Sequence, residues 1–255
     1  NEAEFMGAPK TQLSPRLVIF DLDDCLFDHA PEFVDHFERV IEVIIKEKCP
    51  GVDREDIIRA HKDGYEKEGL SFIPFSKAPF NLSLTQIFNE THDRLQTDYV
   101  LPLAEEFRRS HDHLADLRNK DTKVAILTHG SERWAKYLVE IMQLDDIFTD
   151  ENIFSIEEFD FNLKNKNRKA FSSVLHRMGF DEHGDLSDIV MIDDSPKNLY
   201  HPKEMGMTTA HIALNGKIDA DYIDYSVSHI RDFVKMLANK PAPQEPAANK
   251  APTHG

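Results

Sequence analysis

Four continuous apolar runs punctuate the chain, in Arg16–Asp21, Lys123–Thr128, Asp188–Ile192 and Thr208–Leu214. A strand with one wet face alternates apolar and polar residues. A run without alternation suits a parallel sheet covered on both faces. Between the later runs the spacing changes to the 3.6-residue period of helices. Ser131 stands where it can cap a helix whose buried stripe is Trp134, Leu138 and Ile141, and Phe171, Val174, Leu175 and Met178 form a second stripe. Strands alternating with helices predict right-handed crossovers and an α/β fold with an open, doubly wound, mostly parallel sheet.

Residues 29–115 break this rhythm, with no run that reads as a strand and four helix-period segments. The first carries Phe33, Phe37, Val40, Ile41 and Ile44. The second follows a candidate cap, Asp53, and carries Ile57, Ile58 and Tyr65. The third carries Leu84, Ile87, Phe88 and Leu95. The fourth carries Leu103, Phe107, Leu114 and Leu117, running a little past 115. The pattern predicts a helical cap, 29–115, inserted over the mouth of a sheet built from 11–28 and 116–240; the competing reading is one larger α/β domain. From Lys240 onward, Pro241, Pro243, Pro246 and Pro252 lie among Ala, Gln, Asn and Lys. Too little apolar surface is available there to offset ordering entropy, so 241–255 is expected to be a disordered tail.

Charge narrows the partners. The net charge of -16 over 255 residues excludes a general binder of nucleic-acid polymers, because nothing would neutralise the phosphates. An anionic metabolite remains possible if a local cation receives it. Cys25 and Cys49 form no disulfide framework. No apolar run approaches the ~20 residues needed to span a membrane, and Asn1–Lys10 lacks the apolar core of a signal peptide. A cytoplasmic setting is expected.

Four pieces carry chemistry. Val18–Leu26 delivers Asp21 and Asp23, two residues apart, to the end of a buried strand, where open α/β sheets bind ligands. Asp21 can act as nucleophile and Asp23 as proton donor; the alternative is a solvated acidic turn. Asp188–Asn198 repeats the layout with Asp193 and Asp194, and hard oxygen donors from two strand tips are what Mg²⁺ prefers. Ser195 there can instead be a helix cap. No Cys/His spacing suggests zinc, and His111 and His113 read as surface residues of a helix. Thr128, at the end of the second run, can hold a phosphate oxygen or serve only as a turn residue. Lys164, Lys166 and Lys169 are candidate cations before a helix, and equally a solvated face.

In this order, Asp21-Leu22-Asp23-Asp24, Thr128, Lys164 and Asp193-Asp194 resemble the four motifs of the haloacid dehalogenase-like hydrolases. The resemblance spans about Leu17–Leu214. Phe20–Phe27, Tyr65–Gly69, Phe154–Glu157, Ile192–Ser195 and Met205–Met207 are similar to the pyrimidine 5′-nucleotidase-like branch. The resemblance implies a Rossmann-like core with a mobile cap. It also implies a Mg²⁺-dependent phosphatase acting on a small phosphomonoester, such as a nucleoside 5′-monophosphate, through an aspartyl-phosphate. Asp21 would be nucleophile and metal ligand, and Asp23 the acid–base, lending its backbone carbonyl to the metal. Asp193 and Asp194 would complete the metal site, with Thr128 and Lys164 on the phosphate. Sugar-phosphate hydrolysis, phosphotransfer as in phosphomutases, or non-catalytic binding are the rivals. The chain departs from the family pattern at Cys25, often Thr or Val; at His129, often Asn; at Asn165, usually Pro; and at Pro202.

Overall fold

A computed structural model describes residues 13–95, 111–118 and 121–238. Six strands form one sheet: β1 (Leu17–Phe20), β2 (Lys123–Leu127), β3 (Ile153–Phe154), β4 (Ile189–Asp193), β5 (Thr208–Ile212) and β6 (Tyr225–Val227). They lie in the order β3-β2-β1-β4-β5-β6, and every pairing is parallel. β1 is central, in register with β2 (Leu17 opposite Lys123) and β4 (Leu17 opposite Ile189).

The continuous apolar runs are explained by the two faces of this sheet. Val18, Phe20, Val124, Ile126, Val190 and Ile192 pack on one side with Trp134, Leu138 and Phe233. Leu17, Ile19, Ala125, Leu127, Ile189 and Met191 pack on the other with Phe171, Val174 and Leu175. Alternate residues therefore enter two separate cores, and none is spared for solvent. The expected strands at the four runs are all present, the last ending at Ile212. β3 and β6 are additional; two and three residues are too short to show a period.

Between β1 and β2 lie α1 (Phe33–Lys48), α2 (Arg54–Asp63), α3 (Leu84–Arg94) and a helix over residues 111–118, α4. Among the described residues of 29–115 there is no strand. Asp53 does precede α2, but its side chain makes no capping hydrogen bond; Ser83 caps α3 by accepting from the Gln86 amide at 3.4 Å. Leu103, Phe107 and the 241–255 tail lie outside the described residues. Phe72, Phe75, Phe80, Ile87 and Phe88 bury the inner face of this helical insertion. Then follow α5 (Glu132–Ile141), α6 (Lys169–Met178), the short α7 (Tyr200–Glu204), which contains Pro202, and α8 (Ile230–Ala238). Ser131 caps α5 as expected, its Oγ accepting from the Trp134 amide at 3.2 Å. No described helix is long and apolar enough to cross a membrane.

Candidate active site

Parallel strands present all their C-terminal ends at one edge, so residues far apart in sequence converge there. Asp21 follows β1, its amide extending the ladder to the Ile192 carbonyl at 2.9 Å. Asp24 has a left-handed backbone (φ 56), and the Cys25 and Leu26 amides turn back onto the Leu22 carbonyl. Asp tolerates that conformation better than most residues. The turn buries Cys25 in the core, with Sγ 3.7 Å from the Ile192 carbonyl, and leaves Asp21, Asp23 and Asp24 at the edge.

Lys164 reaches this edge from the loop between β3 and α6. It is 1% exposed, and its Nζ donates to Asp21 Oδ1 at 2.9 Å, Asp193 Oδ2 at 2.6 Å and the Leu127 carbonyl at 3.2 Å. Burial alone would lower its pKa, but the charges of Asp193 and Asp21 outweigh that and raise it, so it stays an ammonium. The other candidates are elsewhere. Lys169 is exposed at the start of α6, and Lys166 is exposed with Nζ 3.6 Å from Glu68 of the insertion.

Asp193 is held at both of its oxygens. It accepts from Lys164, from Asn198 Nδ2 at 3.1 Å on both oxygens, and from the Ser195 amide at 2.9 Å. Ser195 thus serves through its backbone and makes no side-chain cap. The Asp194 carbonyl meets His211 Nε2 at 3.0 Å. Asp21, Asp193 and Asp194 each offer an oxygen, all within 4.8 Å of one another. Burial and the charge of Asp193 raise Asp21 to about 7 against the opposing pull of Lys164. Burial and the charges of Asp193 and Asp21 raise Asp194 to about 10. Three carboxylates against one lysine form a hard, electron-rich donor set that fits a divalent cation such as Mg²⁺. It is the one such cluster among the described residues. His111 is instead half-buried, with Nε2 3.0 Å from Asp146.

Asp23 stands apart from these three. Its Oδ1 accepts from Trp134 Nε1 at 2.9 Å and pairs with His29 Nε2 at 3.0 Å. Its carboxylate is not among the three clustered acids; the metal contact expected of Asp23 is through its backbone carbonyl. Burial pushes Asp23 up, but His29 and the Trp134 hydrogen bond outweigh it and hold the group below its ordinary value. Thr128 Oγ1 accepts from the Gly130 amide at 2.9 Å. A Cβ on Gly130 would lie 3.0 Å from the Trp134 ring and 3.2 Å from Thr128 Oγ1, so only glycine fits unmoved. His129 Nε2 accepts from the Lys164 amide at 2.9 Å and is therefore a neutral acceptor; burial, then Lys164, push it far below its usual value. The residue that departs from the family pattern thus anchors the lysine loop.

A cavity of about 360 Å³ joins Asp21, Asp23, Thr128, Lys164 and Asp194 to Tyr65 and Gly69 of the insertion. Gly69 (φ 84) lies against the Asn165 amide, 3.0 Å from where its Cβ would be. His29, Trp134, Asn198 and His211 were not singled out by sequence as functional. Trp134 read only as core, and no spacing tied the others to the acids.

A family model described as haloacid dehalogenase-like hydrolase matches residues 15–200. Solved structures with similar folds include a HAD phosphatase from Thermococcus onnurineus (TM-score 0.53, 18% identity, covering 87% of this chain and 97% of that one). Another is a HAD-hydrolase from Bacillus subtilis bound to magnesium (0.51, 16%, 88% and 99%). A third is the L-2-haloacid dehalogenase from Xanthobacter autotrophicus with chloropropionic acid covalently bound (0.52, 14%, 89% and 100%). No curated protein matches in sequence. With the ordered acids, the buried lysine and the all-parallel sheet beneath them, the match over most of the chain means that this protein belongs to the haloacid dehalogenase-like hydrolases.

Proposed function

We propose that this hydrolase is a phosphatase that cleaves a small phosphomonoester through an aspartyl-phosphate on Asp21, with Mg²⁺ as cofactor. Nucleoside 5′-monophosphates are the first substrate class to test. One observation carries the reading: a second acid, Asp23, lines the same cavity as Asp21 and Lys164. Displacing a halide needs an attacking carboxylate but no proton donor. Expelling an alkoxide from phosphorus needs both.

Asp21 attacks phosphorus as the bond to the leaving oxygen breaks, and Asp23 gives that oxygen its proton. Asp23 then takes a proton from water, which attacks the phosphorus and releases inorganic phosphate and the Asp21 carboxylate. Its lowered affinity for a proton leaves Asp23 ionised, the form that can accept one in the second step. For the first, a phosphate dianion beside it raises that affinity by like-charge repulsion. Lys164 offsets charge on Asp21 and on the phosphoryl oxygens, and Thr128 with the following amides orients the phosphate. Bound among Asp21, Asp193, Asp194 and the Asp23 carbonyl, Mg²⁺ would neutralise the charge spread over the phosphoryl oxygens. A second cavity, about 700 Å³ between α1 and α2, shares Asp24 and Tyr65 with the first and gives room for an organic leaving group.

The test is a turnover screen over nucleotides, sugar phosphates and 4-nitrophenyl phosphate, with Mg²⁺ and with excess chelator, using Asp21→Asn as control. Mg²⁺-dependent phosphate release absent from the control supports the reading; halide release from a 2-haloacid without phosphatase activity would overturn it.

A further inference from the structure

We propose that Trp134 and His29 are positioning residues for Asp23, and that docking of the helical insertion through His92 completes their arrangement; this rests on the acid–base role proposed for Asp23. The two oxygens of the Asp23 carboxylate have different surroundings. Oδ1 takes both N–H donors, Trp134 Nε1 at 2.9 Å and His29 Nε2 at 3.0 Å. Oδ2 points at the Thr128–Gly130 loop, 3.7 Å from where a Cβ on Gly130 would be. Two donors on one oxygen fix both the rotamer and the roll of the carboxylate. The untied oxygen then faces the phosphate loop, where a proton must be delivered.

Neither donor is held by the core alone. His29 lies in the segment leading into the insertion and stacks on Phe33 of α1, ring centroids 3.8 Å apart and planes 8° from parallel. Trp134 belongs to α5 of the core, but its indole stacks on His92 of α3 at 5.0 Å and 13°, and meets Phe33 at 6.2 Å. His92 Nδ1 lies 2.5 Å from Ser131 Oγ, the oxygen that also caps α5 at the Trp134 amide. Asp93, beside it on α3, pairs with Arg133 of α5 at 2.5 Å. One seam between insertion and core thus fixes the indole, and the indole fixes the acid. If the insertion lifts, Trp134 loses a face and Asp23 loses its aim, so proton delivery is tied to the docked state.

Positioning predicts a loss that depends on the leaving group, whereas general damage does not. Phenyl phosphate and 4-nitrophenyl phosphate have nearly the same shape, but phenoxide needs more proton assistance to leave. kcat/KM reports the first chemical step for each. Trp134→Phe keeps the ring and removes the N–H. It should cut kcat/KM for phenyl phosphate on the order of tenfold while 4-nitrophenyl phosphate stays within about threefold, a part of the 10²–10⁴ that general acids supply. His29→Leu should show the same selective loss, and His29→Gln, which restores a donor, should recover most of it. His92→Ala should show a weaker version. Should Trp134→Phe fail to fold, the His29 pair decides. Equal losses for the two esters, or a His29→Gln as selectively impaired as His29→Leu, would overturn the positioning role. Loss-free His92→Ala would overturn its link to docking. A wild-type protein that turns over neither ester would instead overturn the phosphatase reading, and this inference with it.

Discussion

Replacing Lys164 by methionine keeps the aliphatic stem and removes one charge from the most crowded point of the site. The ammonium lies 2.9 Å from Asp21 and 2.6 Å from Asp193, at 1% exposure, so solvent screens it little. A preorganised group of this kind is worth about 3 kcal/mol where charge develops in the transition state. At 1.36 kcal/mol per tenfold, that is roughly a hundredfold in rate. Removing one partner of a buried pair can also cost the fold up to about 3–5 kcal/mol. Asp21 and Asp194 can offset part of this by holding protons. Activity should therefore be compared well below the variant's melting temperature. Under steady-state assay with 4-nitrophenyl phosphate and Mg²⁺, Lys164→Met should lose about a hundredfold in kcat/KM. Lys166→Ala and Lys169→Ala, exposed and weakly paired, should stay within a few-fold. A Lys164→Met enzyme within about fivefold of wild type would refute the reasoning, and a crippled Lys166→Ala would show that the wrong lysine had been chosen.

Asp21→Asn should abolish turnover, whereas Asp23→Asn should spare aryl esters relative to alkyl esters in the first step; equal losses measured by kcat/KM would contradict the two roles. Phosphate release should vanish in excess chelator and be inhibited by Ca²⁺, whose longer bonds and higher coordination number spoil in-line geometry; full activity with Ca²⁺ alone would count against this. Asp21 and Asp194 hold protons in the fold, with pKa values of about 7 and about 10, that the unfolded chain releases near pH 4. Their stabilising effect is therefore complete below about pH 4 and is lost as pH rises through those values. Melting temperature without divalent ions should fall between about pH 5 and 8, and Mg²⁺ should shrink the fall; a flat metal-free profile would oppose it. Gly69→Ala should cost about 1–3 kcal/mol by forcing a side chain into a left-handed backbone against Asn165, read by chemical denaturation.

The strands at the heart of the sheet were legible because burial on both faces leaves an unbroken apolar run, as in Leu17–Phe20 and Ile189–Ile192. Asp21, Asp193, Asp194 and Lys164 were legible because each follows or ends such a strand, or precedes a helix, in a fixed order. β3 and β6 were not, since two or three residues carry no periodicity. The partners of Asp23 were hidden for another reason. Periodicity shows that Trp134 is buried but not what its N–H meets, and here it meets a carboxylate 111 residues away. His129 looked like a poor fit to its motif. Its actual use, accepting from the Lys164 amide, depends on two loops meeting in space.

The central place of β1 sets the order in which the molecule can be made. Leu17–Phe20 is fully buried, yet its partner on one side begins at Lys123 and on the other at Ile189, 172 residues later. At a synthesis rate of roughly 5–20 residues per second, these four apolar residues leave the ribosome about 10–30 seconds before β4 exists. No local hairpin can shelter them, because every pairing in the sheet is parallel. Folding must therefore wait for non-local closure, which is intrinsically slow. Helices α1, α2 and α3 of the insertion, which contact one another, leave the ribosome in that interval and can begin to form before the sheet beneath them closes.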